Sequence, residues 1–491
     1  MTTPTSRRQE ALFHSALGPP SALLRRPGTP HLLTVAVLLS QLLPCRALTL
    51  TTLVSFGGTN GAAPSATLVQ GADGSFYGTT ESGGMGSRGT IFKMAPSGAL
   101  TTLFEFIAPY PDGADPQAAL APGPGGDFYG TAPAGGAYSE GTVFGISSGG
   151  VPFLVYSFVG TYDGSQPQGA LARGSDGNFY GTTFGGGFYM NGTVFQMTTN
   201  GVLNSLYSFS GPDGANPDAG LIQGRDGNFY GTTEYGGGAY DGTDFSGQGT
   251  IFQVTTAGIL NTVGYFDGNN GAYPTAGLVQ TADGSFYGTT SRGGTNGDNG
   301  TIFRMSTNGA LTTLVMFNGT NGALPSGDLL LGIDGSLYGT TSCGGPGYNG
   351  SPASGYGTVF RVTTNGALTT VAFFNGVNGS TPLAGLVQGT NGNFYGTASG
   401  GGAYNNGTIF ELSSVPPPPP VFQRVTHTAT SITLTWSALA GQIYQVQYKT
   451  NAVRTNWLNL SSAIIASNNT ASLSDAPAPD PQRFYRVVLL Q

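Results

Sequence analysis

One phrase recurs seven times along this chain. It reads Phe76-Tyr77-Gly78-Thr79-Thr80 first, and its later copies carry Tyr129, Tyr180, Tyr230, Tyr287, Tyr338 and Tyr395 at the second place. Successive tyrosines are 52, 51, 50, 57, 51 and 57 residues apart. A period of this size means an array of one supersecondary unit, in which each copy covers its apolar faces with its neighbours.

Within each unit lie four short apolar runs. In the first complete copy they occupy residues 68–70, 76–79, 89–94 and 100–106. All are rich in aromatic and β-branched residues and bounded by Gly, Pro, Asn, Asp or Ser, which predicts strands. No apolar pattern of helical period is sustained over residues 48–414. Four strands per unit, repeated radially, predict an all-β fold, a seven-bladed β-propeller. Two further series support the count. The Gly-Thr-Ile/Val-Phe run ends at Phe92, Phe144, Phe195, Phe252, Phe303, Phe360 and Phe410, and a fourth strand ends at Phe56, Phe106, Phe158, Phe209, Phe266, Phe317 and Phe374. The array thus begins with a fourth strand and stops after a third. Residues 50–56 are placed to complete the last sheet, which removes two unpaired edges; seven contiguous sheets starting at Leu50 fit the same counts.

Asp-Gly steps at Asp73, Asp176, Asp226, Asp283 and Asp334, with Asn391 in the last unit, read as hairpin turns. A calcium loop needs acids or amides at alternate positions, and Ala, Ser, Gly and Phe stand there instead. The Phe-Tyr pairs read as core, because the inner strands of a sheet sandwiched between neighbours are buried on both faces.

Of the 491 residues 83 are glycine and 8% are charged, but 11% aromatics and regular strands argue for packed turns instead of disorder. Residues 1–47 have the layout of a secretory signal peptide: Arg25 and Arg26, an apolar stretch at residues 32–43, and a cleavage site after Ala47. That stretch is shorter than the roughly 20 residues a spanning helix needs. Cleavage would remove five arginines and one glutamate, taking the formal charge from −7 to −11, and would leave His427 and Cys343 as the one histidine and one thiol. Without clustered Lys and Arg, nucleic acid is not an expected partner. A polyproline linker at residues 415–420 introduces a second domain, residues 421–491. There, residues 431–436, 443–449 and 484–489 alternate as strands around Trp436, predicting a small immunoglobulin-like β-sandwich that resembles fibronectin type III modules.

The repeat resembles the choice-of-anchor tandem repeat proteins called GloVer, through Asp-Gly-x-Phe-Tyr-Gly-Thr-Thr, Gly-Gly, Gly-Thr-Ile/Val-Phe and Asn/Asp-Gly-x-x-Pro, over about three quarters of the chain. The resemblance implies bacterial export and a C-terminal sorting signal, and implies no established activity. At its end this chain departs from that pattern, since residues 487–491 are short for an anchor helix and carry no basic tail.

An array without histidine offers no Ser-His-Asp triad and no His-ligated metal. No catalytic residue, metal ligand or cofactor is therefore expected. The connection between Tyr-Gly-Thr and Gly-Thr-Ile/Val-Phe varies between units and takes the insertions of the two long ones. It supplies the candidate ligand-binding residues: Tyr138, Tyr189, Tyr235, Tyr240, Asp241, Asp244, Tyr348, Tyr356 and Tyr404. Alternate connections of a four-stranded sheet share an end, so these residues are expected beside the Asn/Asp-Gly-x-x-Pro loops and their acids, including Asp115, Asp163, Asp213, Asp218, Glu140 and Glu234. Aromatics beside acids suit a polysaccharide or a cell-surface protein. The expectation is a secreted or surface-held bacterial recognition protein, monomeric, with no membrane span after cleavage. The alternatives are a carbohydrate-active hydrolase or lyase using loop carboxylates and a structural envelope component.

Overall fold

The computed structural model describes residues 48–107, 111–147, 149–243, 245–414, 420–428, 430–438, 443–450, 456–465, 470–476 and 483–490. The segment expected to be a signal peptide, most of the expected polyproline linker and Asp244 lie outside the described residues. What is described falls into two compact units, divided between residues 415 and 416. It is all β, with one 3-10 turn at Pro124–Gly126.

In the first unit the described residues form seven four-stranded antiparallel sheets. The sheet of the first complete repeat runs Val69–Gln70, Phe76–Thr80, Thr90–Met94 and Leu100–Glu105. The innermost strand has two residues. It meets the second through five residues, 71–75, where Gly74 N–H reaches Gly71 O at 2.9 Å and the Asp73 carboxylate accepts Ser75 N–H at 3.1 Å. The Asp-Gly step is thus a hairpin, but a five-residue one in which only the glycine takes positive φ (79°).

Neighbouring sheets touch through the residues that recur. Six of the seven motif tyrosines pack on the next sheet's phenylalanine, among them Tyr77 on Phe128, Tyr129 on Phe179 and Tyr180 on Phe229, with ring centroids 4.5, 4.5 and 3.9 Å apart; Tyr287 meets Leu337 instead. Such aromatic pairs add about 0.5–1.5 kcal/mol each beyond burial. The first threonine after the Tyr-Gly step donates to a carbonyl of the next sheet's inner loop: Thr79 to Ala118, Thr131 to Gly169, Thr182 to Ala219, Thr232 to Ala276 and Thr340 to Ala384, at 2.8–3.3 Å. The glycine of Gly-Thr-Ile/Val-Phe makes room for the next unit's proline. A β-carbon on Gly192 would stand 2.7 Å from Pro217 Cδ and 2.3 Å from Thr183 O. The residue before each proline bridges two sheets. Asn216 N–H donates to Asn191 O of the preceding sheet, while Asn216 O accepts Glu234 N–H of its own. This position has φ of 52–59° in all seven units, though none is glycine. Left-handed backbone at Leu324 or Thr381 is costly, and two-sided hydrogen bonding holds it there.

The same contacts join last to first. Thr397 donates to Ala66 O at 3.0 Å, Tyr395 packs on Phe76 at 4.2 Å, and Thr390 N–H donates to Gln70 Oε1 at 3.0 Å. The opening strand, Leu48–Ser55, pairs antiparallel with the closing strand, Thr408–Ser414, from Leu48↔Ser414 to Ser55↔Thr408, with one irregularity between Thr52 and Val54. Of the two phasings the sequence admits, the chain takes the closed one. The sheets are a β-propeller in organisation, with no free edge between first and last.

In the second unit the described residues form two sheets. One holds Phe422–His427, Ile432–Ser437 and Thr470–Asp475; the other centres on Ile443–Lys449, flanked by Leu458–Asn459, Ile464–Ile465 and Phe484–Leu490. Both contribute to one core, with Leu434 and Trp436 from the first against Tyr444, Val446 and Tyr485 from the second. The alternation in Ile432–Ser437, inward at Ile432, Leu434 and Trp436, is what put Trp436 there.

Candidate functional site

Two kinds of connection meet at one end of every sheet. Ala215 and Tyr235 exchange backbone hydrogen bonds at 2.9 and 3.0 Å, and equivalent bridges join Ala62 to Ser82, Ala114 to Ala134, Ser165 to Gly185, Ala272 to Arg292, Ala323 to Cys343 and Ser380 to Gly400. The variable connections and the proline loops therefore share a face, opposite the Asp-Gly hairpins.

On that face the candidate tyrosines divide. Tyr138, Tyr189, Tyr356 and Tyr404 are 60, 54, 45 and 66% exposed, and Phe188 beside Tyr189 is 71% exposed. Tyr240 and Tyr348 instead lie flat on glycine backbone. A β-carbon on Gly211 would be 2.2 Å from the Tyr240 ring, and one on Gly319 2.0 Å from that of Tyr348. Tyr235 is half-buried, its ring centroid 5.2 Å from Phe245 and 5.3 Å from Tyr273. Asp241 holds a turn, accepting Thr243 N–H at 3.0 Å and Thr243 Oγ1 at 2.5 Å. Asn349 does the same in the other insertion, accepting Ser351 N–H at 3.1 Å, so both insertions share one local design.

The face's other acids also split into two groups. Asp115 pairs with Arg88 at 2.9 Å, Asp163 accepts the Tyr156 hydroxyl at 2.9 Å and the amides of Val159 and Gly160, and Asp213 accepts the Tyr207 hydroxyl and Ser210 N–H. These hold loops. Asp218 differs: its carboxylate accepts no hydrogen bond from the described residues, and burial pushes it up to about 6. Neighbouring Glu234 is pushed up to about 7, by burial first and by the charge of Asp218 second, with Tyr235 opposing the rise. Loss of bulk water disfavours both charged forms, and two carboxylates side by side disfavour double ionisation.

Asp218 lines a cavity of about 420 Å³ where the proline loops of all seven sheets converge. The residue after each proline faces it: Ser65, Gln117, Gln168, Asp218, Thr275 and Ser326, with Leu383 in the seventh. Glu81 and Asp328 line it too. Glu81 accepts Gln117 Nε2 at 3.1 Å and is raised by burial. Asp328 accepts Gly277 N–H at 2.6 Å; it opens onto the cavity, yet the loops around it crowd out enough bulk water to raise its carboxyl. The sequence reading placed Asp218 and Glu234 on this face but missed Glu81 and Asp328 and the convergence itself. The available signal was the polar column just after each loop proline.

Among the described residues no three His, Cys, Asp or Glu side chains are grouped to hold a metal ion, and no helix is long and apolar enough to cross a membrane.

The repeats match the family model described as the Gloeobacter/Verrucomicrobia repeat over residues 39–245 and 243–432. No curated protein matches the chain. Solved structures similar to it include the gluconolactonase XC5397 of Xanthomonas campestris, at 12% identity and a TM-score of 0.40, covering 79% of this chain and 98% of that one. Puromycin hydrolase aligns at 13% identity and a TM-score of 0.44, over 78% of this chain and 60% of that one. Prolyl oligopeptidase B of Galerina marginata aligns at 9% identity and a TM-score of 0.42, over 78% and 57%.

Proposed function

This chain belongs to the Gloeobacter/Verrucomicrobia repeat family, and from there we propose that it is an exported, non-enzymatic recognition protein. On this reading a seven-bladed propeller, released from a signal peptide at residues 1–47, binds a polysaccharide or a cell-surface protein through its loop face. A fibronectin type III-like module follows it. The observation that carries the reading is the set of exposed aromatics on equivalent Gly-Gly loops of separate sheets: Tyr138, Phe188, Tyr189 and Tyr404. Large apolar groups left in water on one face, on loops held by a rigid scaffold, suit a partner that covers them.

A glycan and surface-protein array, with turnover assays on the same sugars, tests it. Tyr138→Ala, Tyr189→Ala and Tyr404→Ala should each weaken binding, by about 1–2 kcal/mol where the ring is an anchor, with no change in melting temperature. Binding unaffected by all three would overturn the assignment of this face.

One observation favours a second reading, a carbohydrate-active enzyme. Glu234, pushed up to about 7, stands near enough to Asp218, pushed up to about 6, to feel its charge, and raised carboxyls of this kind suit general acid catalysis. Turnover of a glycan abolished by Glu234→Gln would establish that reading in place of the first.

A further inference from the structure

The cavity where the proline loops converge is a second place for a ligand, and its chemistry differs from that of the aromatic rim. We propose that it binds a small molecule carrying a protonated amine, with Asp218 and Asp328 as the counter-ions.

The argument begins with position. Asp328 reaches from the sixth sheet to Gly277 N–H of the fifth at 2.6 Å. A β-carbon on Gly277 would stand 3.5 Å from Gly220 O of the fourth sheet, two residues after Asp218. The two carboxylates therefore lie on one arc of the ring, over three consecutive sheets. Thr275 of the middle sheet lines the same cavity, but its hydroxyl oxygen is turned into the protein and out of reach of a ligand. Asp218 accepts no hydrogen bond from the described residues, and is partly open to the cavity and otherwise enclosed by protein.

An unpaired carboxylate partly withdrawn from water, as Asp218 is, is costly unless something donates to it. The rest of the lining limits what that donor is. It contains no Lys, Arg or His, so a phosphate or carboxylate ligand would meet only like charge. It contains no aromatic side chain, so neither a base nor a sugar ring finds a stacking platform. An ammonium group offers three donors and a positive charge, matching the two carboxylates. A volume of about 420 Å³ accommodates a small amine.

This inference stands whether or not the loop face binds a glycan. Titration calorimetry on the whole chain with spermidine, glucosamine and glucose tests it. One amine should bind per chain and glucose should not. Asp218→Asn and Asp328→Asn should each weaken amine binding at least tenfold, while Glu140→Gln, an acid outside the cavity, leaves it unchanged. Should either aspartate variant lose its near-ultraviolet circular dichroism, Leu383→Lys, which sets a fixed cation in the same lining, supplies the test and should weaken binding at least tenfold. Equal binding of glucose and glucosamine would make this a polyol site and overturn the proposal. Several amines per chain, insensitive to the cavity variants, would show attraction to the acidic surface alone and overturn it too.

Discussion

Thr182 and Thr289 occupy the same place in their repeats and are equally buried, each 1% exposed, but only one has a partner. Thr182 donates to Ala219 O at 2.8 Å, whereas Thr289 Oγ1 is buried without a hydrogen bond. The pair separates the worth of the bond from the worth of the shape. Thr182→Val should cost about 1–2 kcal/mol, since it strands a buried carbonyl. Thr289→Val should be neutral or stabilising by a few tenths, since it removes an unpaired hydroxyl. Urea unfolding of the two variants checks both; equal losses would assign the stability to packing alone. Titration gives a second residue-scale prediction. Asp218 and Glu234 are raised in the folded chain, so the native state holds their protons more tightly than the unfolded chain does. Their contribution is full below the unfolded values near 4 and is lost as pH rises through about 6 and 7. Asp73, held down to about 2 chiefly by Lys93, acts oppositely, and its contribution disappears as pH falls toward that value. Melting temperature should therefore decline between pH 4 and 7, and the decline should be shallower in the double variant Asp218→Asn, Glu234→Gln. An unaltered slope would mean that other groups govern it. These acids also mark where the sequence ran out. Asp163 and Asp213 precede a glycine and Asp218 follows a proline, but only packing shows that the first two satisfy loop amides and tyrosine hydroxyls while the third faces the axis. Tyr240 and Tyr138 likewise share a Gly-rich context, yet one covers Gly211 and the other is 60% exposed.

At the scale of the strand and loop, the motif is legible because every part of it is an interface between sheets. Phe-Tyr, Thr, Gly and Pro recur because each touches its counterpart in the next copy, and the seven-fold run of each set the count of sheets. What did not show was length. The inner strand shrinks to two residues, Val69–Gln70, because Leu68 turns into the core while the proline loop leads in. The hairpin extends to five residues because Asp73 spends its carboxylate on Ser75 N–H and the Tyr77 hydroxyl. The glycine–proline contact yields the third prediction. Gly192→Ala places a methyl 2.7 Å from Pro217 Cδ and 2.3 Å from Thr183 O at φ 91°. Both the contact and the backbone angle oppose it, so the loss should reach about 3 kcal/mol or more, beyond the range of an ordinary surface change. Gly177→Ala, at φ 83° with open space around it, carries the backbone cost without the clash and should lose less. If denaturant midpoints rank the two the other way, the proline contact is not what selects the glycine.

For the propeller as a whole, one junction joins the first strand to the last, Leu48–Ser55 against Thr408–Ser414. Deleting residues 48–56 should expose the edge of the last sheet and remove Phe56 from its core cluster. The expected outcome is a lower melting temperature together with self-association on size exclusion. A synthetic peptide of residues 48–56 should reverse both, and a truncated chain that stays monomeric with its melting temperature unchanged would rule out the junction as the clasp. The same junction orders events in time. Thr397 and Ala66, which it brings together, lie 331 residues apart. A chain synthesised or threaded through a pore with its N-terminus leading presents Leu48–Ser55 first, and that strand has no partner until nearly all seven repeats have followed. It must wait as a lone apolar strand while the sheets behind it condense pairwise. Contacts this distant slow the final step of folding and lengthen the exposure of the waiting strand. Aggregation in such a chain is thus a contest between its own last repeat and the first strand of the next molecule, and crowding of nascent copies decides it.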